Sequence, residues 1–240
     1  MTTLSVQNLV KSYHGKKVVD MVSLEVVSGE VIGLLGPNGA GKTTTFYMTV
    51  GMVKPDSGRV FLNENEITQM PMYKRARSGV GYLPQEASIF RKLTVKQNVM
   101  AILETLSMPK SDREDRAMKL LGELGIQHLC GQQASSLSGG ERRRLEITRC
   151  LVTNPSFILL DEPFAGIDPL AVIDIKKIIE HLKKRDIGIL ISDHNVRETL
   201  EVCDKAYILN DGKVIEAGAP AKIASSEIAR RIYLGDEFRL

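Results

Sequence analysis

Alternating apolar and polar residues near the N-terminus predict two antiparallel strands. Leu4 and Val6 alternate with polar neighbours, and Val22, Leu24 and Val26 repeat the pattern after a polar connection. A two-residue period is typical of strands with one buried face. The chain therefore opens with antiparallel β-structure.

Short uninterrupted apolar runs follow further along the chain. Residues 31–35 (VIGLL), 157–160 (FILL) and 187–191 (IGILI) are of this kind. Runs of this length are typical of parallel strands buried on both faces. We also predict strands over 59–67 and 80–85, and a hairpin over 206–218 that turns at Asp211-Gly212.

The region from 86 to about 155 shows no strand pattern and carries helix-start signals. Three capping boxes begin at Thr94, Ser111 and Ser138, each with Glu or Gln three residues later. We predict a helical insertion over 86–155, within one domain whose core comprises about 1–85 and 156–240. Asp168-Pro169 predicts the first residues of a later helix, and a charged helical tail is expected over 225–240.

A glycine-rich segment between the strand at 31–35 and a predicted helix has the spacing of a phosphate-binding loop. Its glycines let backbone N–H groups point inward at an anion, and the helix N-terminus adds partial positive charge. Lys42 would approach the β- and γ-phosphates, and the Thr43 hydroxyl could ligate Mg²⁺. The predicted ATP-binding residues are Gly36, Pro37, Asn38, Gly39, Ala40, Gly41, Lys42, Thr43 and Thr44.

A second helix start has the features of an anion site. Ser138 is the predicted N-cap, and Gly139 and Gly140 expose the first N–H groups of the helix. Glycines here cost roughly 1 kcal/mol each relative to alanine. Their presence indicates close approach of another group to the backbone.

Polar residues follow the buried strands at the edge where open α/β sheets bind ligands. Asp161 could hold Mg²⁺ and Glu162 could polarise an attacking water. Gln85 and His194 follow neighbouring strands at the same edge. Gln85 could belong to the ligand site or be a solvated loop glutamine, and His194 could contact the γ-phosphate in catalysis or be a structural histidine. Tyr13 could stack on adenine or simply pack in its loop.

Composition is that of an ordinary globular protein of 240 residues, with 43% hydrophobic and 25% charged residues. The net charge of +3 does not by itself suggest a nucleic-acid partner. The three cysteines lack metal-ligand spacing. Because no apolar run approaches 18 residues and no signal-peptide pattern begins the chain, we expect a cytoplasmic protein.

Taken in order, these motifs resemble the ATP-binding-cassette (ABC) family over essentially the whole chain. GPNGAGKT, Gln85, LSGGE (137–141), FILLDE, AGID (165–168) and His194 match its successive motifs. The resemblance implies an α/β P-loop NTPase core with an antiparallel β subdomain and a helical subdomain. It also implies ATP and Mg²⁺ as cofactors, with Gln85 assisting the metal, and Tyr13 stacking on adenine. Two chains would form a homodimer in which Ser138, Gly139 and Gly140 contact ATP on the opposite chain.

A closer resemblance is to the ATP-binding subunits of bacterial lipopolysaccharide export systems, carried by YLPQEASIFRKL (82–93) and YLGDEFRL (233–240). It implies two transmembrane permease subunits as partners and a peripheral position on the cytoplasmic face of the inner membrane. Membrane contact would occur only through those partners. Phe90 and Arg91 would line the groove that receives their coupling helices.

Two other functions compete with this interpretation. ATPases of branched-chain amino-acid importers have cassettes of similar length and a related YLG ending, but ASIFRKL is not expected there. Soluble ABC ATPases of DNA repair or translation usually carry two cassettes or a long coiled-coil arm. LSGGE and the Glu162–His194 pair argue against a kinase or a GTPase.

Overall fold

The computed structural model describes residues 1–235 and 237–240. Within them it contains ten strands: β1 (Thr3–Tyr13), β2 (Lys16–Val27), β3 (Val31–Leu35), β4 (Ser57–Leu62), β5 (Asn65–Glu66), β6 (Val80–Leu83), β7 (Phe157–Asp161), β8 (Gly188–Ser192), β9 (Lys205–Asn210) and β10 (Lys213–Gly218). The helices are α1 (Lys42–Val50), α2 (Met72–Arg77), α3 (Val95–Leu103), α4 (Lys110–Glu123), α5 (Gly139–Leu151), α6 (Pro169–Lys184), α7 (Val196–Val202), α8 (Pro220–Ser225) and α9 (Glu227–Ala229).

A six-stranded sheet forms the centre of the molecule, in the order β10-β9-β3-β8-β7-β6. Strands β9, β3, β8, β7 and β6 pair in parallel, and only β10 is antiparallel, as the hairpin partner of β9. Every residue of β3, β7 and β8 is buried, as their apolar runs predict. Because the five strands are parallel, the segments that follow them meet at one edge of the sheet.

A second, antiparallel sheet has the order β2-β1-β4-β5. The predicted strand alternation is confirmed, since Leu4 pairs with Val26 and Val6 with Leu24. The single strand predicted over 59–67 is wrong. The chain turns at Asn63, which adopts a positive φ of 55°, and β4 and β5 form a hairpin. Asparagine tolerates this conformation better than most residues.

Helices α3, α4 and α5 and two 3₁₀ turns account for the regular structure between 95 and 151. Thr94 and Ser138 make the predicted capping boxes. The box predicted at Ser111 is wrong: the N-cap of α4 is Pro109, two residues earlier, so the Ser111 hydroxyl lies in the first turn and bonds to the Asp112 carboxylate at 2.8 Å. The subdomain limits at 86 and 155 stay a prediction.

The C-terminal tail is helical for only part of its predicted length. Helix α9 continues into a π-turn over Arg230–Leu234, which ends at Gly235 with a φ of 82°. Residues 238–240 are not helical. Asp236, within the predicted tail and the YLGDEFRL segment, lies outside the described residues.

The lengths of the helices and the state of the cysteines bear on the class of protein. The helices among the described residues are all too short or too polar to cross a lipid bilayer. Cys130, Cys150 and Cys203 are free thiols.

One buried cation joins α1 to the β subdomain. Arg75 is 1% exposed, and its guanidinium donates to the carbonyl oxygens of Met48, Thr49, Thr68 and Met70 at 2.7–2.9 Å. Burial lowers the pKa of Arg75 to about 10. Since Met48 and Thr49 lie in the last turn of α1, a positive charge there complements the helix dipole.

Replacing Arg75 with Met should lower the free energy of unfolding by about 3 kcal/mol or more, because buried carbonyl oxygens lose their donors. Arg77→Met, on the exposed side of the same helix, is the matched control and should change it by less than about 0.5 kcal/mol. Urea denaturation measures both. Equal stability of the two variants would contradict a structural role for Arg75.

Candidate functional site

The loop between β3 and α1 requires glycine at two positions. Gly36 has a φ of 146°, and a Cβ there would lie 2.1 Å from the carbonyl oxygen of Leu209. Gly41, the N-cap of α1, has a φ of 98°, and its Cβ would lie 2.4 Å from the carbonyl oxygen of Val18. Side chains cannot be accommodated at such distances. The loop is therefore wedged between β9 and the β1–β2 hairpin.

Lys42 holds its ammonium within this loop. Its Nζ donates to the carbonyl oxygens of Gly36 at 2.6 Å and Pro37 at 3.0 Å, and the side chain is 9% exposed. Burial lowers the pKa of Lys42, and the negative charges of Glu162 and Asp193 oppose that shift. The ammonium thus lies near the acids of neighbouring strands. The other predicted loop residues lie in the same β3–α1 connection or the first turn of α1: Asn38, Gly39, Ala40, Thr43 and Thr44.

The two predicted acids, Asp161 and Glu162, lie at the end of β7. Asp161 is the last residue of β7 and pairs with Ser192 of β8. Glu162 follows with a positive φ of 44°, and its N–H donates to the Ser192 carbonyl oxygen at 2.7 Å. A non-glycine residue in this region is strained, and such strain clusters at functional sites. Glu162 is therefore turned away from the direction of the strand.

Two predicted residues converge on the carboxylate of a third, Glu162. The Gln85 amide Nε2 donates to Glu162 Oε2 at 2.8 Å, and His194 Nδ1 lies 3.4 Å from the same oxygen. These residues follow β6, β7 and β8, which are neighbours in the sheet. A water held among them would face a carboxylate, an amide and an imidazole.

Asp193 is a site residue that sequence reasoning missed. It is fully buried, and its carboxylate accepts hydrogen bonds from the N–H groups of Phe164 and Asn195, both at 2.8 Å. Burial raises its pKa, and these hydrogen bonds oppose the shift. Asp193 thereby ties the loop after β7 to the loop that carries His194. Its one sequence signal is its position directly before His194 at the end of a buried strand.

The Asp161 carboxylate is also held by a residue that the sequence did not reveal. The Tyr82 hydroxyl donates to Asp161 Oδ2 at 3.3 Å. Burial raises the pKa of Asp161, and the Tyr82 hydrogen bond opposes the shift. The described residues contain no cluster of three or more His, Cys, Asp or Glu side chains that could alone hold a metal ion. A metal here would need oxygen ligands from elsewhere, such as phosphates.

The N-terminus of α5 is open to approach. Ser138 Oγ and Glu141 close the capping box, and the space where Cβ atoms of Gly139 and Gly140 would lie holds no described atom within 4 Å. This helix start borders a cleft of about 510 Å³ whose other walls include Gln85, Glu162 and Asp168. None of residues 36–44 lines the cleft. Ser138–Gly140 therefore border a cleft to which the phosphate loop of the same chain contributes no wall.

Tyr13 lies at the tip of the β1–β2 hairpin and is 43% exposed. The Lys11 ammonium lies 5.6 Å from the centre of its ring. The same hairpin contacts Gly41 through Val18. The ring is thus available to a flat ligand group on the hairpin that borders the phosphate loop.

Phe90 and Arg91 lie on the outer surface of the helical region. Phe90 is 45% exposed, and the guanidinium of Arg149 lies 4.4 Å from its ring centre. Its backbone is fixed by the buried Asn98, which accepts from Phe90 N–H at 2.8 Å and donates to its carbonyl oxygen at 3.0 Å. The Arg91 carbonyl oxygen accepts from Ser135 N–H at 3.1 Å. Asn98 and Arg149 had no sequence signal.

A glycine loop with a buried lysine, and Asp, Glu, Gln and His side chains at one sheet edge, define a P-loop nucleotide-binding ATPase. The sequence model of the "ABC transporter" family matches residues 19–165. This chain belongs to that family: it binds ATP and is an ABC transporter ATPase.

Relatives and solved structures agree with this membership. The chain is 57% identical over the full length of both proteins to the "Lipopolysaccharide export system ATP-binding protein LptB" of Escherichia coli. It is 54% identical to the protein of the same name from Haemophilus influenzae, again over the full length of both. An ATP-binding cassette of an ABC transporter, solved in its ADP conformation, superposes with a TM-score of 0.88 at 30% identity and covers 98% of this chain and 100% of its own.

Proposed function

We propose that this chain is the ATPase subunit of a lipopolysaccharide exporter, and that two copies of it bind and hydrolyse two ATP molecules between them. The assignment of lipopolysaccharide as the cargo rests on one observation, the full-length identity of 54–57% to proteins named for lipopolysaccharide export. The hydrolytic mechanism rests on another, the convergence of Gln85 and His194 on the Glu162 carboxylate beside the phosphate loop.

ATP binding is assigned to the loop and the hairpin beside it. The backbone N–H groups of residues 36–44 and the N-terminus of α1 would hold the phosphates, and Lys42 would leave its loop carbonyls to pair with them. Tyr13 would stack on the adenine. Its exposure and its place on the hairpin that contacts Gly41 support this role.

Magnesium is assigned to oxygen ligands at the same edge. Mg²⁺ prefers oxygen ligands and is usually shared between protein and substrate phosphates. The Thr43 hydroxyl, the Gln85 amide oxygen and Asp161 would hold it, and it would neutralise charge developing on the phosphates. The raised pKa of Asp161 fits this role, because a buried carboxylate gains from a nearby cation.

Hydrolysis is assigned to the residues around Glu162. Its carboxylate would take a proton from the attacking water, a step for which positioned bases contribute about 10²–10⁴-fold. His194 would contact the γ-phosphate, with Asp193 holding the loop that presents it. Gln85 would fix the carboxylate through its amide.

The second half of each site is assigned to the opposite chain. The phosphate loop of the same chain does not line the cleft beside Ser138, Gly139 and Gly140, and beyond the adjoining residues and backbone of α5 no described atom fills the space beside the two glycines. A γ-phosphate from a second copy would bring an anion to this helix N-terminus. ATP would then favour the dimer by binding it in preference to separate chains.

The partners would be two transmembrane permease subunits, and the chain would sit on the cytoplasmic face of the inner membrane through them. Phe90 and Arg91 would receive a coupling helix. The exposed Phe90 ring, held by Arg149 and Asn98, is a rigid apolar contact of the kind that anchors interfaces. We assign no role in binding nucleic acid.

Replacing Glu162 with Gln should leave ATP binding intact but lower turnover about 100-fold or more, because the amide cannot accept the proton. The variant should also accumulate as an ATP-dependent dimer in size-exclusion chromatography. Glu64→Gln, at an exposed β-turn, is the control and should behave like the unchanged protein. Normal hydrolysis by Glu162→Gln would rule out the base assignment.

The cargo and partner assignment is tested by purifying the tagged protein from detergent-solubilised native membranes. Two multi-span subunits with large periplasmic domains should co-purify, and Phe90→Ala should lose them while Met21→Ala, another exposed apolar residue, retains them. If paired amino-acid permeases co-purified instead, the cargo would be amino acids and not lipopolysaccharide. Absence of any membrane partner would contradict the transport role.

A further inference from the structure

Helix α5, which begins at Gly139, carries a buried carboxylate that none of the roles above uses. Glu146 is 4% exposed. Its Oε1 accepts from the Ser88 N–H at 2.8 Å, and its Oε2 accepts from Arg143 Nη1 at 3.1 Å. A carboxylate removed from water is costly unless it is paired and hydrogen-bonded in this way.

Glu146 lies in the middle of a row of three charged side chains. Arg143, Glu146 and Arg149 are spaced three residues apart along α5, so they project towards the same segment. Arg143 donates to the Pro84 carbonyl oxygen at 3.2 Å, and Arg149 donates to the Ser88 carbonyl oxygen. The backbone is therefore bonded to α5 at Pro84 and at Ser88, on either side of Gln85.

Gln85 is thus held from two directions. Its amide reaches the Glu162 carboxylate at 2.8 Å, and its flanking backbone is fixed to α5. The N-terminus of that same helix carries Ser138–Gly140. The Gln85 side chain and the backbone of segment 84–88 consequently link Glu162, the proposed base of one ATP site, to α5, the helix proposed to contribute to the other site.

We propose that Glu146 is a positioning residue that couples the Gln85 segment to the helix bearing Ser138–Gly140, so that the two ATP sites of the dimer align together. This inference rests on the proposed in-trans arrangement. In this role Glu146 needs no contact with ATP or with the attacking water. It acts by keeping Ser88 and Arg143 in place, and through them Gln85.

Charge explains why the row needs an acid at its centre. Burial lowers the pKa of Arg149, and the charge of Glu146 opposes that shift. Without Glu146, Arg143 and Arg149 would lose the negative charge between them, and the Ser88 N–H would lose its acceptor. The bonds that Arg143 and Arg149 donate to segment 84–88 would then lack this support, and the segment would be held less firmly to α5.

The test compares Glu146→Ala and Glu146→Gln with Glu123→Ala. Glu123 is a matched control because it is a half-buried acid of the helical region, bonded to His181 of α6 at 2.8 Å and to Arg185, directly after α6, at 2.6 Å. Among the described residues, Glu123 makes no hydrogen bond to segment 84–90. Each variant is assayed for kcat, KM, melting temperature and affinity for a fluorescent ATP analogue.

We expect Glu146→Ala to lower kcat about tenfold or more, the effect of losing a charge-assisted hydrogen bond, with nucleotide affinity within about threefold. Glu146→Gln should lose only about threefold in kcat, since its amide oxygen still accepts from Ser88. Glu123→Ala should retain its kcat. The double variant Glu162→Gln/Glu146→Ala should need an ATP concentration about tenfold higher than Glu162→Gln alone to form the dimer.

Unchanged kcat in Glu146→Ala would overturn the inference, and so would an equal loss in Glu123→Ala, which would indicate a general stability effect. If Glu146→Ala does not fold, unchanged kcat in Glu146→Gln overturns it instead. If Glu162→Gln alone forms no ATP-dependent dimer, the proposed in-trans arrangement fails, while the kcat comparison still decides whether Glu146 positions Gln85.

Discussion

The shared edge at which the parallel strands end is the constraint on which the site depends. Strands β3, β8, β7 and β6 run side by side, so the phosphate loop, His194, Glu162 and Gln85 must emerge next to one another. Residues nearly 160 positions apart meet because pairing fixes the register, as when Leu34 of β3 pairs with Ser192 of β8. The apolar runs that bury these strands thereby also position the chemistry.

The same edge concentrates charges that are poorly hydrated. Burial raises the pKa of Asp161 and Asp193 and lowers the pKa of Lys42. Each shift reflects the cost of holding a charge away from water. Hydrogen bonds offset part of this cost: the Tyr82 hydroxyl donates to the Asp161 carboxylate, and backbone N–H groups donate to the Asp193 carboxylate. A nucleotide with its metal would add charges of both signs to this arrangement.

The sequence predicted those features that depend on local pattern. The buried strands, the capping boxes at Thr94 and Ser138 and the Asp168 N-cap are confirmed. Ser111 had the same local signal, yet α4 starts earlier because Pro109 occupies the cap. The roles of Asp193, Asn98 and Glu146 could not be predicted, because their hydrogen bonds join segments brought together only by folding. Likewise, the positive φ of Glu162 depends on its bond to Ser192 of another strand.

We propose that a second chain completes each ATP site, and activity measured after mixing two inactive variants tests this sharing. Lys42→Ala removes the phosphate contact, and Gly139→Asp places a negative charge at the start of α5. Neither variant should hydrolyse ATP alone. In a mixed dimer, one site combines the intact phosphate loop of the Gly139→Asp chain with the intact α5 N-terminus of the Lys42→Ala chain. We therefore expect mixing to restore activity. A mixture as inactive as its components would contradict a site shared between chains.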